Sequence, residues 1–127
     1  ILSFFAGYLI ILYHNSNPNI SPYFFITLLW YPCYENLFSI IRKLKNKFSP
    51  LVPDNNHLHQ LIYQRFNKII NNKVIANNVS SILISIINCI ILLLAARYPY
   101  ESNYQIKIIL TSIFLYTSTF FILNSNK

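Results

Sequence analysis

Four apolar runs divide the chain: Ile1–Tyr13, Tyr23–Ile41, Val79–Ala96 and Ile106–Leu123. A helix that crosses a bilayer needs about 20 predominantly apolar residues for a hydrocarbon core of about 30 Å. The last three runs approach that length. The first covers only about 20 Å at 1.5 Å rise per residue. It begins with neither Met nor a basic stretch, so it reads as the remainder of a span in a longer protein rather than as a signal peptide. The second run is interrupted by Pro32, Glu35 and Asn36. Pro32 removes a backbone donor and predicts a kink, which neighbouring helices in a membrane tolerate. The expected fold is all-α: a multipass transmembrane helical bundle with about four membrane segments, the first partial.

Composition supports the bilayer as solvent. Residues are 54% hydrophobic and only 10% charged, against about 25% charged in soluble domains. Mean hydropathy is +0.41. A soluble domain of this size has too little interior to hide so much apolar surface. Cys33 and Cys89 both lie in apolar runs and read as small buried hydrophobes rather than as a disulfide. The single glycine, Gly7, excludes glycine-rich phosphate loops. No internal repeat is present.

The connections differ in kind. His14–Pro22 has no Lys or Arg and is rich in turn residues. Tyr98–Gln105 is short, flanked by Arg97 and Lys107, which read as snorkelling side chains at span ends. Arg42–Ala76 is long and basic, holding Arg42, Lys43, Lys45, Lys47, Arg65, Lys68 and Lys73. By the positive-inside rule the loop 42–76 is cytoplasmic. That side then carries eight basic residues, counting Lys127, against Arg97 and Lys107 opposite. Topology thus accounts for much of the net charge of +7, and the aromatics sit mainly in the spans. No nucleic-acid partner is expected.

Chemistry concentrates in that loop. Ser49–Asp54 reads as a proline-stiffened approach. Asp54, Asn55 or Asn56 then supplies an expected helix N-cap. Beyond it Leu58, Leu61, Ile62, Phe66, Ile69 and Ile70 recur at helical spacing, predicting an amphipathic helix along the headgroup region. A helix N-terminus beside His57, His59 and lysines suits a phosphate, because its N–H groups and dipole favour anions. The same cations also fit a loop that meets only anionic lipid headgroups. His57, His59 and Asp54 supply metal donors, but zinc wants three or four ligands, and no further loop His or Cys exists. Glu35, an acid within a span, is either hydrated near the interface or paired with a neighbouring helix, and a structural part is favoured over a catalytic one.

The string Pro53-Asp54-Asn55-Asn56-His57-Leu58-His59-Gln60-Leu61 resembles the P-D-x-x-H-[LI]-H-x-L motif of the polyprenyl-phosphate sugar-1-phosphate transferases (glycosyltransferase family 4). Tyr31 to Arg42 is similar to the span that leads into this motif, and Asn17 to Pro22 to the external turn before it. The likeness is specific over residues 17 to 63 and only topological over 77 to 123. It implies a membrane enzyme, with residues 1–127 as the C-terminal part of one transferase domain. Such an enzyme moves a sugar-1-phosphate from a UDP-sugar to undecaprenyl or a similar polyprenyl phosphate, releasing UMP at the cytoplasmic face of the plasma membrane. The reaction begins cell-envelope glycan synthesis.

By match to the motif, His57 and His59 contact the nucleotide-sugar phosphates or order the site, and Asp54 fixes their turn. Local charge adds Arg42 and Lys43 as groups that attract anionic substrate. The resemblance also implies Mg²⁺, whose ligands, with the catalytic aspartates, belong to earlier loops. Asp54 is the sole aspartate here, so the chain alone is expected to be inactive. A homodimer is left open. The alternative is a non-catalytic multipass protein, a transporter piece or scaffold, with a lipid-binding basic loop.

Overall fold

The computed structural model describes residues 2–47, 49 and 56–125. Among these the chain is all-helical: α1 (Leu2–Ser16), α2 (Pro22–Leu28), α3 (Trp30–Lys45), α4 (Leu58–Ile70), α5 (Lys73–Arg97) and α6 (Ser102–Ser125). Helices α5 and α6 are long and apolar enough to cross a membrane. At 1.5 Å per residue they run about 37 and 36 Å. Helices α2 and α3 make a third span if the pair counts as one. The first run forms the 15-residue α1, about 22 Å long and short of a full crossing. Among the described residues two to three spans, rather than four, meet the length requirement.

The second apolar run bends by 72° at Leu29, between α2 and α3, not at Pro32 itself. The displacement has a simple cause. Proline at position 32 cannot donate to the carbonyl of residue 28, and its ring crowds that carbonyl. The helix therefore breaks one turn earlier, and Pro32 falls in the first turn of α3, where a missing N–H costs nothing.

Among its described residues the basic loop is largely helical. α3 runs on to Lys45, placing Arg42, Lys43 and Lys45 in its last turn, where cations complement the helix dipole. α5 begins at Lys73, six residues before the apolar run. Its N-cap Asn72 accepts from the N–H groups of Val74 and Ile75. Asn71, at φ 52, takes the left-handed conformation that ends α4, one that asparagine tolerates better than most residues.

Contacts give the helix directions. Ser21 lies against Pro99 and Ser102, Thr27 against Gln105, Tyr34 against Thr117, and Phe38 against Phe120. The bent α2–α3 unit therefore runs parallel to α6. One end gathers Ser21, Pro99 and Ser102. The other gathers the α3 C-terminus, the α4 N-terminus and the last turns of α6.

Helix α4 packs against α5 and α6. Its Leu58, Leu61 and Ile62 join Trp30, Ile91, Tyr116 and Phe120 in the core. The predicted stripe is thus split. Its first half is buried in protein and Phe66 packs at its margin, while Ile69 is 77% exposed. Cys33 and Cys89 are exposed, free thiols, not the buried groups expected. The outer face of a bundle that sits in lipid is as apolar as its core, so hydropathy did not distinguish the two locations.

Candidate functional site

The site forms where α3, α6 and the start of α4 meet. His57 is the residue before α4, in extended conformation (φ −74, ψ 153). That single extended residue matters, because side chains two apart diverge on a helix but share a side on extended chain. The imidazoles of His57 and His59 consequently stack, with centroids 5.6 Å apart and planes 10° from parallel.

Both rings turn Nδ1 toward one carboxylate oxygen. Glu35 Oε1 lies 3.6 Å from His57 Nδ1 and 3.4 Å from His59 Nδ1. The same oxygen accepts the N–H of Leu58 at 3.0 Å and faces the Tyr116 hydroxyl at 3.5 Å. Glu35 itself is buried. The exposed edge of the cluster is His59, whose side chain is 52% accessible, against 24% for His57.

The helix start therefore differs from expectation. The N-cap is His57, not an Asp or Asn. Its own N–H is accepted by Gln60 Oε1 at 3.1 Å. The first amide of α4, that of Leu58, is taken by Glu35 and is not left for a phosphate. A carboxylate from another helix does here what a local Asx side chain does elsewhere: it satisfies an orphan N–H and sits at the positive end of the dipole.

Arg42 is held as well. Its Nη1 donates to the Asn56 carbonyl at 2.7 Å, and its guanidinium lies 5.0 Å from the Phe120 ring centroid and 6.0 Å from that of Phe38. Arg42 thus ties the last turns of α3 and α6 to the segment that leads into the histidines. It is positioned beside them rather than tethered loosely in a loop. Asp54 and the rest of 50–55 lie outside the described residues.

Glu35 and Tyr116 were not placed with the histidines by sequence reasoning. Glu35 carried a signal: it is one of only two glutamates and stands in an apolar run. Tyr116 carried none, being one of ten tyrosines. Beneath the cluster lies an apolar cavity of about 260 Å³. Leu58 and Tyr116, both against Glu35, line it with Trp30, Ile62 and Ile91.

The residues described do not fit Mg²⁺. Among them no group of three or more His, Cys, Asp or Glu is arranged to hold a metal ion. Mg²⁺ prefers an octahedron of oxygens, whereas this cluster offers two imidazole nitrogens and a carboxylate oxygen already accepting a backbone N–H. What the arrangement can do is present two stacked imidazoles and a fixed guanidinium at one end of an apolar bundle.

No family model, curated protein or solved structure matches the chain.

Proposed function

We propose that this chain is the histidine-bearing part of a membrane transferase that moves a sugar-1-phosphate from a UDP-sugar to a polyprenyl phosphate. The observation that carries the reading is the stacked His57–His59 pair beside Arg42. This is cationic, hydrogen-bonding chemistry at the basic end of helices long enough to cross a membrane.

In the reaction an oxygen of the lipid phosphate attacks the phosphorus bonded to the sugar. A new P–O–P bond forms, the bond from that phosphorus to the bridging oxygen breaks, and UMP leaves with the bridging oxygen. The charge that gathers on the phosphoryl oxygens and on UMP needs fixed positive or hydrogen-bonding partners, and most of the catalysis is positioning and electrostatics. His57 and His59 contact the phosphates of the nucleotide-sugar. Arg42 adds positive potential that draws in an anionic donor. The apolar cavity beneath takes the first isoprene units of the carrier. The basic end faces the cytoplasm of a plasma membrane, where nucleotide sugars are made. Such a reaction also uses acidic groups, and Asp54 is the only aspartate in the chain.

The test is transfer of labelled sugar phosphate to polyprenyl phosphate in membranes that express the whole coding sequence. His57→Ala and His59→Ala are each expected to lower turnover 100-fold or more, roughly the loss of one strong transition-state contact, with membrane insertion intact. Full turnover in both variants would refute the reading.

A second reading has one observation in its favour. The Leu58 amide is already occupied by Glu35, which suits a purely structural junction whose basic face meets anionic lipid headgroups. Under it, no variant alters transfer, and binding to anionic vesicles falls in step with the number of lysines removed.

A further inference from the structure

We infer that Glu35 is a positioning residue for the histidine pair, fixing which nitrogen of each ring meets a ligand. The geometry stands by itself; the identity of the ligand, an anionic phosphate ester, rests on the function proposed above.

Glu35 Oε1 has the Nδ1 atoms of both rings within 3.6 Å, along with the Leu58 N–H and the Tyr116 hydroxyl. A ring nitrogen facing a carboxylate at this distance is stabilised when it bears a proton. If it bears a lone pair instead, two electron-rich atoms oppose each other. The group that faces one nitrogen of a histidine biases its tautomer. Hydrogen on Nδ1 is therefore favoured, most directly at His59, whose Nδ1 is the nearer to the carboxylate, and it leaves Nε2 as the nitrogen for the ligand. Neutral, Nε2 takes up a proton; charged, the ring donates that proton to a phosphate oxygen.

The carboxylate is itself held. The Leu58 amide is a backbone group of α4, and Tyr116 packs edge-on against Tyr34 (5.1 Å) and Phe38 (5.6 Å). Its freedom to follow the imidazoles is small, so the rings adjust to it. Such a fixed partner behind a histidine is what precise presentation of the opposite nitrogen requires.

The test reads the rings directly, without reliance on activity. The chain, labelled with ¹⁵N-histidine, is placed in lipid nanodiscs, and tautomers of the neutral rings are read from long-range ¹H–¹⁵N correlations. His14, which packs on Phe25, is the internal reference. In the wild-type chain His57 and His59 are expected to bear hydrogen on Nδ1. In Glu35→Gln, which keeps an oxygen for Leu58 but loses the charge, the ratio of Nδ1–H to Nε2–H is expected to fall about tenfold, as the charged neighbour of Nδ1 becomes a neutral one. Glu35→Asp, which keeps the charge, should recover part of it.

Wild-type rings that bear hydrogen on Nε2 would overturn the inference, whether or not the variants fold. So would an unchanged ratio in a folded Glu35→Gln. Added UMP, as a phosphate-ester probe, should shift Nε2 and leave Nδ1 in place. If the tautomers are as expected while UMP shifts nothing, the positioning role stands and the nucleotide reading fails.

Discussion

Glu35 Oε1 accepts the backbone N–H of Leu58 at 3.0 Å, across 23 residues of chain. A carboxylate in the middle of one helix thereby caps the start of another. It does so inside a bundle, where an unpartnered N–H has little water to turn to. Removing the side chain should cost more than neutralising it. Glu35→Ala is expected to destabilise the bundle by about 1–3 kcal/mol, the desolvation penalty of a buried donor left unsatisfied. Glu35→Gln, which still accepts, should lose less. Unfolding of nanodisc or micelle samples in denaturant gives the order, and equal losses for the two variants would argue against the capping role.

Gln105 organises the opposite end. It is fully buried, donates to the carbonyls of Ala95 and Tyr98, and accepts from the Thr27 hydroxyl. The last carbonyls of α5 have no helical partner of their own. Gln105→Leu should destabilise the protein by about 1–2 kcal/mol and speed amide exchange at the start of α6. Thr27→Val, which removes one bond of the set, should cost less.

Arg42 is expected to be poorly replaced by lysine. The guanidinium donates to Asn56 O while lying near two phenylalanine rings, and an ammonium has no planar face to do the same. Arg42→Lys should raise amide exchange at Asn56–Leu58 several-fold even though the charge is kept. Protection equal to the wild type would leave Arg42 with only its long-range field.

Pro32→Ala should restore the donor to the carbonyl of residue 28 and relax the 72° bend at Leu29. Spin labels on α2 and α3, on faces away from the core, would then move apart as the two helices align. An unchanged distance distribution would assign the bend to packing against α6 instead.

The orientation can be tested with a single cysteine at Lys45, after Cys33 and Cys89 are replaced. In intact cells a membrane-impermeant maleimide should leave it unlabelled, and permeabilisation should expose it. A cysteine at Tyr100 should behave in the opposite way. Labelling of residue 45 from outside would remove the supply of nucleotide-activated donor on which the proposed reaction depends.

Read alone, the chain determined the class of molecule: helical, apolar on all sides, with one basic end. Those properties come from composition and local periodicity, which a single strand of sequence carries in full. It also singled out His57, His59 and Arg42, because short-range spacing and charge are local too. The tertiary structure decided what stands behind those residues. Glu35 and Tyr116 are 22 and 59 residues from His57 in sequence, and only the parallel packing of α3 with α6 brings them to it. It also decided which cysteines face outward and which half of the α4 stripe is covered. The reason is physical. In a bilayer both the core and the outer surface are greasy, so hydropathy marks the span and is silent about its inner face. Pairing between polar groups on different helices settles that face, and no single helix encodes it.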